Sequence, residues 1–287
     1  MISLAGHNTG TFFISTQIGS VFPVYSLRIL RRSMDHIEIR HCSSIPEYEE
    51  CVRVEHATWG EGIAVPSAIF VVAHETGGQV IGAFDREQVI GFTLAIAGAR
   101  QGKTFLHSHM TAVLPDYRDQ GIGRRLKLFQ RQDALRRGID LIEWTFDPLK
   151  FRNAHFNFER LGAVARRYIP NCYGITASPL HAGLPTDRLV AEWWLNSVRV
   201  KSVLADSPLP AREPIARISL PANLDERRAN DSEAALRVQA QARTQFGKLF
   251  SEGYVATGLE SHDASTHYIL ERGDTIGGQP LPPLAAS

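Results

Sequence analysis

Two glycines set among charged residues carry the first chemical signal in this chain. Asp116-Tyr117-Arg118-Asp119-Gln120-Gly121-Ile122-Gly123-Arg124-Arg125 joins an apolar, strand-like run to a basic amphipathic one. Glycine lets a backbone approach a ligand with no Cβ in between. The unpaired N–H groups at a helix start, aided by the helix dipole, favour an anion. From Asp116 to Arg137 there are seven Arg or Lys against three Asp, in a chain of formal net charge +1. A multiply phosphorylated ligand would account for that local excess. The bland alternative is a tight strand-to-helix turn with a solvated basic face. A dinucleotide-binding fold is disfavoured, because the third glycine is missing and the preceding strands read as hairpins. A P-loop is excluded, because no Gly-Lys-Ser/Thr follows.

Titratable residues form a second set. His107 and His109 alternate on one strand-like run and so point to one face. A zinc site would need a third ligand, and none is near, so no metal is expected. Glu143 flanks Trp144; a partly buried carboxylate there can be tuned into a base, and the plain alternative is a strand-edge charge. Asp187-Arg188 and Glu192 read as structural ion pairs, and Trp193-Trp194 as core on one face.

These residues must be positioned by regular elements. Ser44-Ile45-Pro46-Glu47 has the pattern of a capped helix start, leading to a helix ending near Trp59. Pro66 to His74 reads as a second helix. Val80–Phe84 and Val89–Ala97 flank a tight turn as an antiparallel hairpin. Thr104–Val113 is a strand, Ile122–Arg137 a helix ended by Gly138, Leu141–Thr145 a strand and Asn153–Leu161 a short helix ended by Gly162. Ala163–Tyr168 and Arg188–Leu195 read as further strands. The order over 36–196 is β-α-α-β-β-β-α-β-α-β-β. It predicts an α+β fold with a mixed, mostly antiparallel central sheet flanked by helices.

Residues 1–33 read as a loose extension, with the folded domain opening at Met34 and running to 196. Residues 197–287 read as an extension: a linker with Pro208, Pro210, Pro214 and Pro221, a helix over 225–250 and a small hairpin. Ala235, Val238, Ala242, Phe246 and Leu249 form an apolar stripe that needs a partner surface. Covering an acceptor cleft and forming a homodimer contact are the two uses left open.

Composition removes several classes. Of 287 residues, 44% are hydrophobic and 21% charged, which excludes a mainly disordered chain. The near-zero net charge argues against bulk nucleic-acid or membrane-surface binding. No uninterrupted run of about 20 apolar residues is present, so no membrane helix is expected. Three dispersed cysteines, Cys42, Cys51 and Cys172, form no disulfide framework, which suggests a cytoplasmic setting.

The stretch Arg118-Asp119-Gln120-Gly121-Ile122-Gly123 resembles the Q/R-x-x-G-x-G/A motif of the GNAT N-acetyltransferase superfamily, in the place that family puts it. Asn153 to Gly162 resembles the family's later helix. Trp144–Leu149, Arg152–His155, Gly183–Arg188 and Glu192–Trp194 are similar to a little-characterised bacterial branch with a C-terminal extension. The resemblance covers 36–196 and implies the acyl-CoA N-acyltransferase fold. It implies acetyl-CoA as cosubstrate, a small-molecule amine as acceptor, and no metal, nucleic acid or membrane. It implies that Gln120, Gly121, Ile122, Gly123 and Arg124 cradle the pyrophosphate, with Arg118 nearby. Ala112 and Val113 would bond the pantetheine, and Asn153 would face the cofactor's arm. It makes His109, Glu143 and His107 candidates for the general base. One departure stands out: family members often hold a thiolate-protonating tyrosine four residues before the helix-ending glycine, and here that residue is Phe158. Tyr168 and Tyr173 are the nearest phenols in sequence. A non-catalytic acyl-CoA-binding protein is the alternative.

Overall fold

The computed structural model describes residues 36–60, 64–175, 183–209, 215–224, 230–262, 265–273, 275–276 and 279–280. The expected extension at 1–33 and the tail beyond 280 lie outside them. The elements are β1 (Ile37–His41), α1 (Ile45–Trp59), α2 (Ser67–Glu75), β2 (Gln79–Asp85), β3 (Gln88–Arg100), β4 (Lys103–Val113), α3 (Ile122–Arg136), β5 (Leu141–Phe146), α4 (Phe151–His155), β6 (Val164–Ile169), β7 (Arg188–Trp194), α5 (Val198–Leu204), β8 (Ile215–Pro221), α6 (Ser232–Ser251), β9 (Tyr254–His262) and β10 (Ser265–Arg272). Two short strands, β11 (Thr275–Ile276) and β12 (Gln279–Pro280), pair with each other.

The first ten strands form one sheet in the order β1-β2-β3-β4-β5-β7-β6-β9-β10-β8. Every pairing in it is antiparallel except β4 with β5. This is the expected α+β class. Helices cover both faces because each helix has one apolar side to bury. On one face, α1 and α2 bury Tyr48, Val54 and Phe70 against Phe92 and Leu94. On the other, Ile122 and Leu126 of α3 pack on Ile81 and Ile90, and Ala134 joins Leu106, Ile142 and Trp144.

Local signals operate with shifts of detail. Glu47 caps the start of α1 by accepting from the Ser43 amide at 2.7 Å, while the Ser44 side chain makes no cap bond. The short helix starts at Phe151, and widens into a π-turn over Phe156–Arg160. The segment read as a linker contains α5 and β8: Ser197 caps α5 by accepting from the Val200 amide, and β8 pairs with β10 along seven residues. The C-terminal hairpin joins the main sheet through Ala165 opposite Ala256. The α6 stripe also finds its surface within the chain, with Val238, Ala242 and Phe246 packed among Ile218, Tyr268 and Leu270. It therefore supplies no argument for a homodimer contact or an acceptor lid.

Candidate functional site

The parallel β4–β5 pairing creates the main irregularity of the sheet. It joins only Leu106 with Ile142 and His107 with Glu143. β4 continues to Val113 and β5 to Phe146, and no further pair joins them among the described residues. The strands therefore part after His107, leaving facing edges whose backbone groups need other partners. A bulge accompanies the fork: Leu94 lies opposite Met110 and Ala95 opposite Ser108, so His109 has no partner residue on β3. Bulges bend a strand and re-aim its side chains. Ala112 and Val113, paired with Phe92 and Gly91 of β3, lie on the part of β4 that has parted from β5.

The glycine turn closes the same end of β4. Asp119 sits at φ +61° and Gly121, the residue before α3, at φ +79°. Left-handed backbone of that kind suits glycine. No side chain caps α3 and its first turn holds no acid. The amides of Ile122, Gly123 and Arg124 are thus unanswered by any capping side chain. A Cβ built on Gly121 or Gly123 would meet nothing within 4 Å. This is open, donor-rich space of the kind a diphosphate needs. Arg118 donates to the Val113 carbonyl at 3.0 Å, Gln120 bonds the Asp116 carbonyl at 2.9 Å, and Arg124 has a buried Nε with no partner.

The basic excess of α3 has a different explanation from the one its sequence suggests. Arg125 donates to the Ile37 carbonyl, Arg131 to the Leu195 carbonyl, and Arg136 and Arg137 to Asp133. Arg125 and Arg131 tie the helix to its surroundings, Arg137 does so through the Gly77 and Gly78 carbonyls, and Arg136 is held within the helix itself. Only Arg118 and Arg124 remain by the turn.

Lys127 stands directly behind the fork. Its Nζ donates to Ser108 Oγ at 2.9 Å and to Gln130 Oε1 at 2.8 Å, and lies 4.0 Å from the Trp144 ring centre. Ser108 and Trp144 are the first residues of each strand beyond the last pair. Burial without a carboxylate partner lowers the Lys127 pKa to about 7. Trp144 Nε1 donates to Asn157 Oδ1 at 3.3 Å, and the buried Asn157 Nδ2 finds no partner. Asn153, the expected residue, is exposed on α4. Its neighbour Arg152 pairs with Asp119, which holds α4 against the glycine turn.

The base candidates separate. The His107 and His109 rings lie 6.1 Å apart beside the fork. Burial, then the neighbouring His109, lowers the His107 pKa; partial burial lowers that of His109. Both are therefore neutral near pH 7 and able to accept a proton. Glu143 does not share this role. It is buried and gripped by Arg100 at 2.9 and 3.1 Å and by Arg167 at 2.6 Å. Burial alone would raise its pKa, but these hydrogen bonds and charges prevail and hold it below the usual carboxylate range. A carboxylate so held is a poor base near neutrality.

Phenols and tryptophans fall into place similarly. Phe158 is fully buried, edge-on to Phe146 and Tyr268, and faces core. Tyr168 donates to the buried Asp187 carboxylate at 2.7 Å, Arg243 of α6 pairs with that carboxylate, and Arg188 donates to the Asp187 backbone carbonyl at 2.9 Å. Glu192 pairs with Arg166. Tyr173 differs: its hydroxyl lies 2.8 Å from Thr145 Oγ1, two residues past the last β5 pair, and the side chain is exposed. Partial burial raises its pKa, so it keeps its proton at neutral pH. Trp193 is core, donating to the Leu161 carbonyl. Lys127, Ser108, Asn157 and Thr145 had no local sequence signal beyond a lysine interrupting an apolar helix side, whereas Tyr173 was already one of the two nearest phenols in sequence.

Among the described residues no three His, Cys, Asp or Glu side chains gather as a metal site, and no helix is long and apolar enough to cross a membrane. Residues 66–162 match the family model described as an acetyltransferase (GNAT) domain, about a third of the chain. No curated protein matches the chain. Among solved structures, similarity extends to a putative GNAT-family acetyltransferase from Desulfovibrio desulfuricans, at 16% identity over 55% of this chain and 99% of that one, TM-score 0.44. The ribosomal-protein-S18-alanine N-acetyltransferase of Escherichia coli is similar at 17% identity over 54% and 92%, TM-score 0.44. A GNAT-family acetyltransferase from Elizabethkingia anophelis with acetyl-CoA bound is similar at 13% identity over 56% and 99%, TM-score 0.41.

Proposed function

We propose, from the match of residues 66–162 to the GNAT acetyltransferase domain, that this chain is an acyl-CoA-dependent N-acyltransferase moving an acetyl group from acetyl-CoA to a small-molecule amine. The observation that carries this reading is the continuity of the β4–β5 fork with the uncapped, glycine-opened start of α3. The amides of Gln120 to Arg124, with Arg118, receive the diphosphate. The free edge of β4 at Ala112 and Val113 receives the pantetheine amides, and the unpartnered Asn157 amide supports the fit more directly than Asn153. Orientation of the two reactants supplies much of the rate. His107 or His109 takes the proton from the amine as its nitrogen attacks the thioester carbonyl. The C–S bond breaks, and the electron pair leaves with sulfur. Tyr173 is the phenol placed to return a proton to that thiolate. We place this chemistry in 34–196, with 197–287 buttressing the sheet, and the protein in the cytoplasm.

Calorimetric titration with CoA, followed by thiol release from acetyl-CoA across a panel of amines, tests the proposal. Micromolar CoA binding with amine-dependent release supports it. Tight CoA binding with no release from any amine favours the second reading, a non-catalytic acyl-CoA-binding protein. That reading rests on Phe158 lying in core where a proton donor would otherwise stand.

A further inference from the structure

Resting on the reading that an amine meets the thioester at the fork, the sheet face below that fork indicates which amine. A cleft of about 800 Å³ opens on the side of the sheet that carries His107. The registers establish the side: His107 lies opposite Glu143, and Glu143 opposite Glu192. Registered residues of neighbouring strands share a face. Glu143 and Glu192 line the cleft, as do Phe105 and Thr104 of β4. It therefore begins at Glu143, the residue registered with His107, and runs away from the glycine turn.

Its lining charges are unequal. Arg100, Lys103, Arg137, Arg166 and Arg167 stand against Asp140, Glu143 and Glu192. Arg137 is answered by Asp133 from outside the cleft. The two buried glutamates are neutralised by Arg100, Arg166 and Arg167. Three guanidiniums offer about fifteen N–H donors, whereas two carboxylates accept at about eight positions. Donors are thus in excess even after both glutamates are satisfied, and Lys103 stands exposed at the rim. Arginine forks of this kind match the oxygens of a carboxylate or phosphate. Ile139, Leu141 and Trp194 supply apolar wall beside them.

We propose that the cleft holds an oxyanion of the acceptor, so that the substrate is a primary amine bearing a carboxylate or phosphate about 7–10 Å from its nitrogen, two to three strand residues down β4 from His107. The same charges disfavour a second cationic group on the amine.

Thiol release from acetyl-CoA is measured with 6-aminohexanoate, 3-aminopropyl phosphate, hexylamine and 1,6-diaminohexane. The two anionic amines are expected to exceed hexylamine at least tenfold in kcat/KM, and the diamine to fall below it. Whichever anionic amine leads shows which oxyanion the cleft prefers. Arg167→Gln leaves Glu143 with Arg100 and Glu192 with Arg166; it and Lys103→Glu are each expected to erase the preference, chiefly through KM. Indole fluorescence titrated with 6-aminohexanoate, without acetyl-CoA, reads the cleft beside Trp194 independently of chemistry. Equal use of all four amines by wild-type protein overturns the cleft assignment and leaves the transferase standing. No turnover, but a fluorescence response abolished in folded Arg167→Gln, upholds the cleft and overturns the transferase. Neither turnover nor response overturns the cleft assignment.

Discussion

Aspartate in place of Gly123 should move stability and CoA affinity in opposite directions. Gly123 is the second residue of α3, its φ is ordinary, and a Cβ there meets nothing within 4 Å. Replacing a helical glycine by aspartate, itself a weak helix former, recovers about 0.3 kcal/mol. An acid in a first turn that now has none adds about 0.3–1 kcal/mol through the helix dipole. The ligand-free protein should therefore gain about 0.5–1.3 kcal/mol. The same carboxylate would stand in the diphosphate cradle, roughly 6 Å from about two negative charges. Each pair repels by about 0.7 kcal/mol in water and about 2.8 kcal/mol at an effective dielectric of 20. The sum, about 1.5–5 kcal/mol, weakens CoA binding about 10- to 5000-fold. Urea melts without ligand and calorimetric titration with CoA read the two effects, and added salt should restore part of the affinity. Gly123→Ala, with the room but not the charge, should show the stability gain and a smaller loss of affinity. A folded Gly123→Asp protein that binds CoA within twofold of wild type would refute the cradle.

Phe158→Tyr should destabilise by about 1–3 kcal/mol in urea melts without raising turnover, because the new hydroxyl lands in apolar core. Glu143→Gln should cost about 1–3 kcal/mol, a buried-pair loss discounted for the partial exposure of Arg100 and Arg167. Loss of the Glu143 charge, which raises the His107 pKa, should move the rising limb of its pH–rate profile to lower pH where His107 is the base and leave it in place where His109 is; only loss of the limb would restore Glu143 as the base. That limb should fall below pH 6.5, since both histidine pKa values are lowered, and His109→Ala should reduce turnover about 10²–10⁴-fold with CoA affinity kept. Lys127 titrates at about 7 when folded and near 10.5 when unfolded. Between these values the unfolded chain binds the extra proton, so stability should rise with pH by up to about 1.4 kcal/mol per unit. Lys127→Met should flatten that slope in urea melts at pH 7–10.

The element order from β1 to β7 was legible because each signal is local. A capped start, an apolar stripe at helical spacing or a glycine stop is written within a few residues. The glycine turn was legible for the same reason: Gly121 and Gly123 are contiguous with the helix whose amides they expose. The roles of charged and aromatic residues were not legible, because they depend on which distant strand lies opposite. Glu143 became an ion-pair centre only when β3 and β6 brought Arg100 and Arg167 to it. The basic face of α3 turned out to be fastened to carbonyls and to Asp133, and the α6 stripe to be covered by its own sheet. The fork itself is a register property, set by where residues 106–107 stop pairing with 142–143. Sequence alone determined the periodicities and turns that make this an α+β chain with an anion-ready helix start. Tertiary structure decided which side chains face the fork, because a strand register juxtaposes residues dozens of positions apart, and no local pattern encodes that pairing.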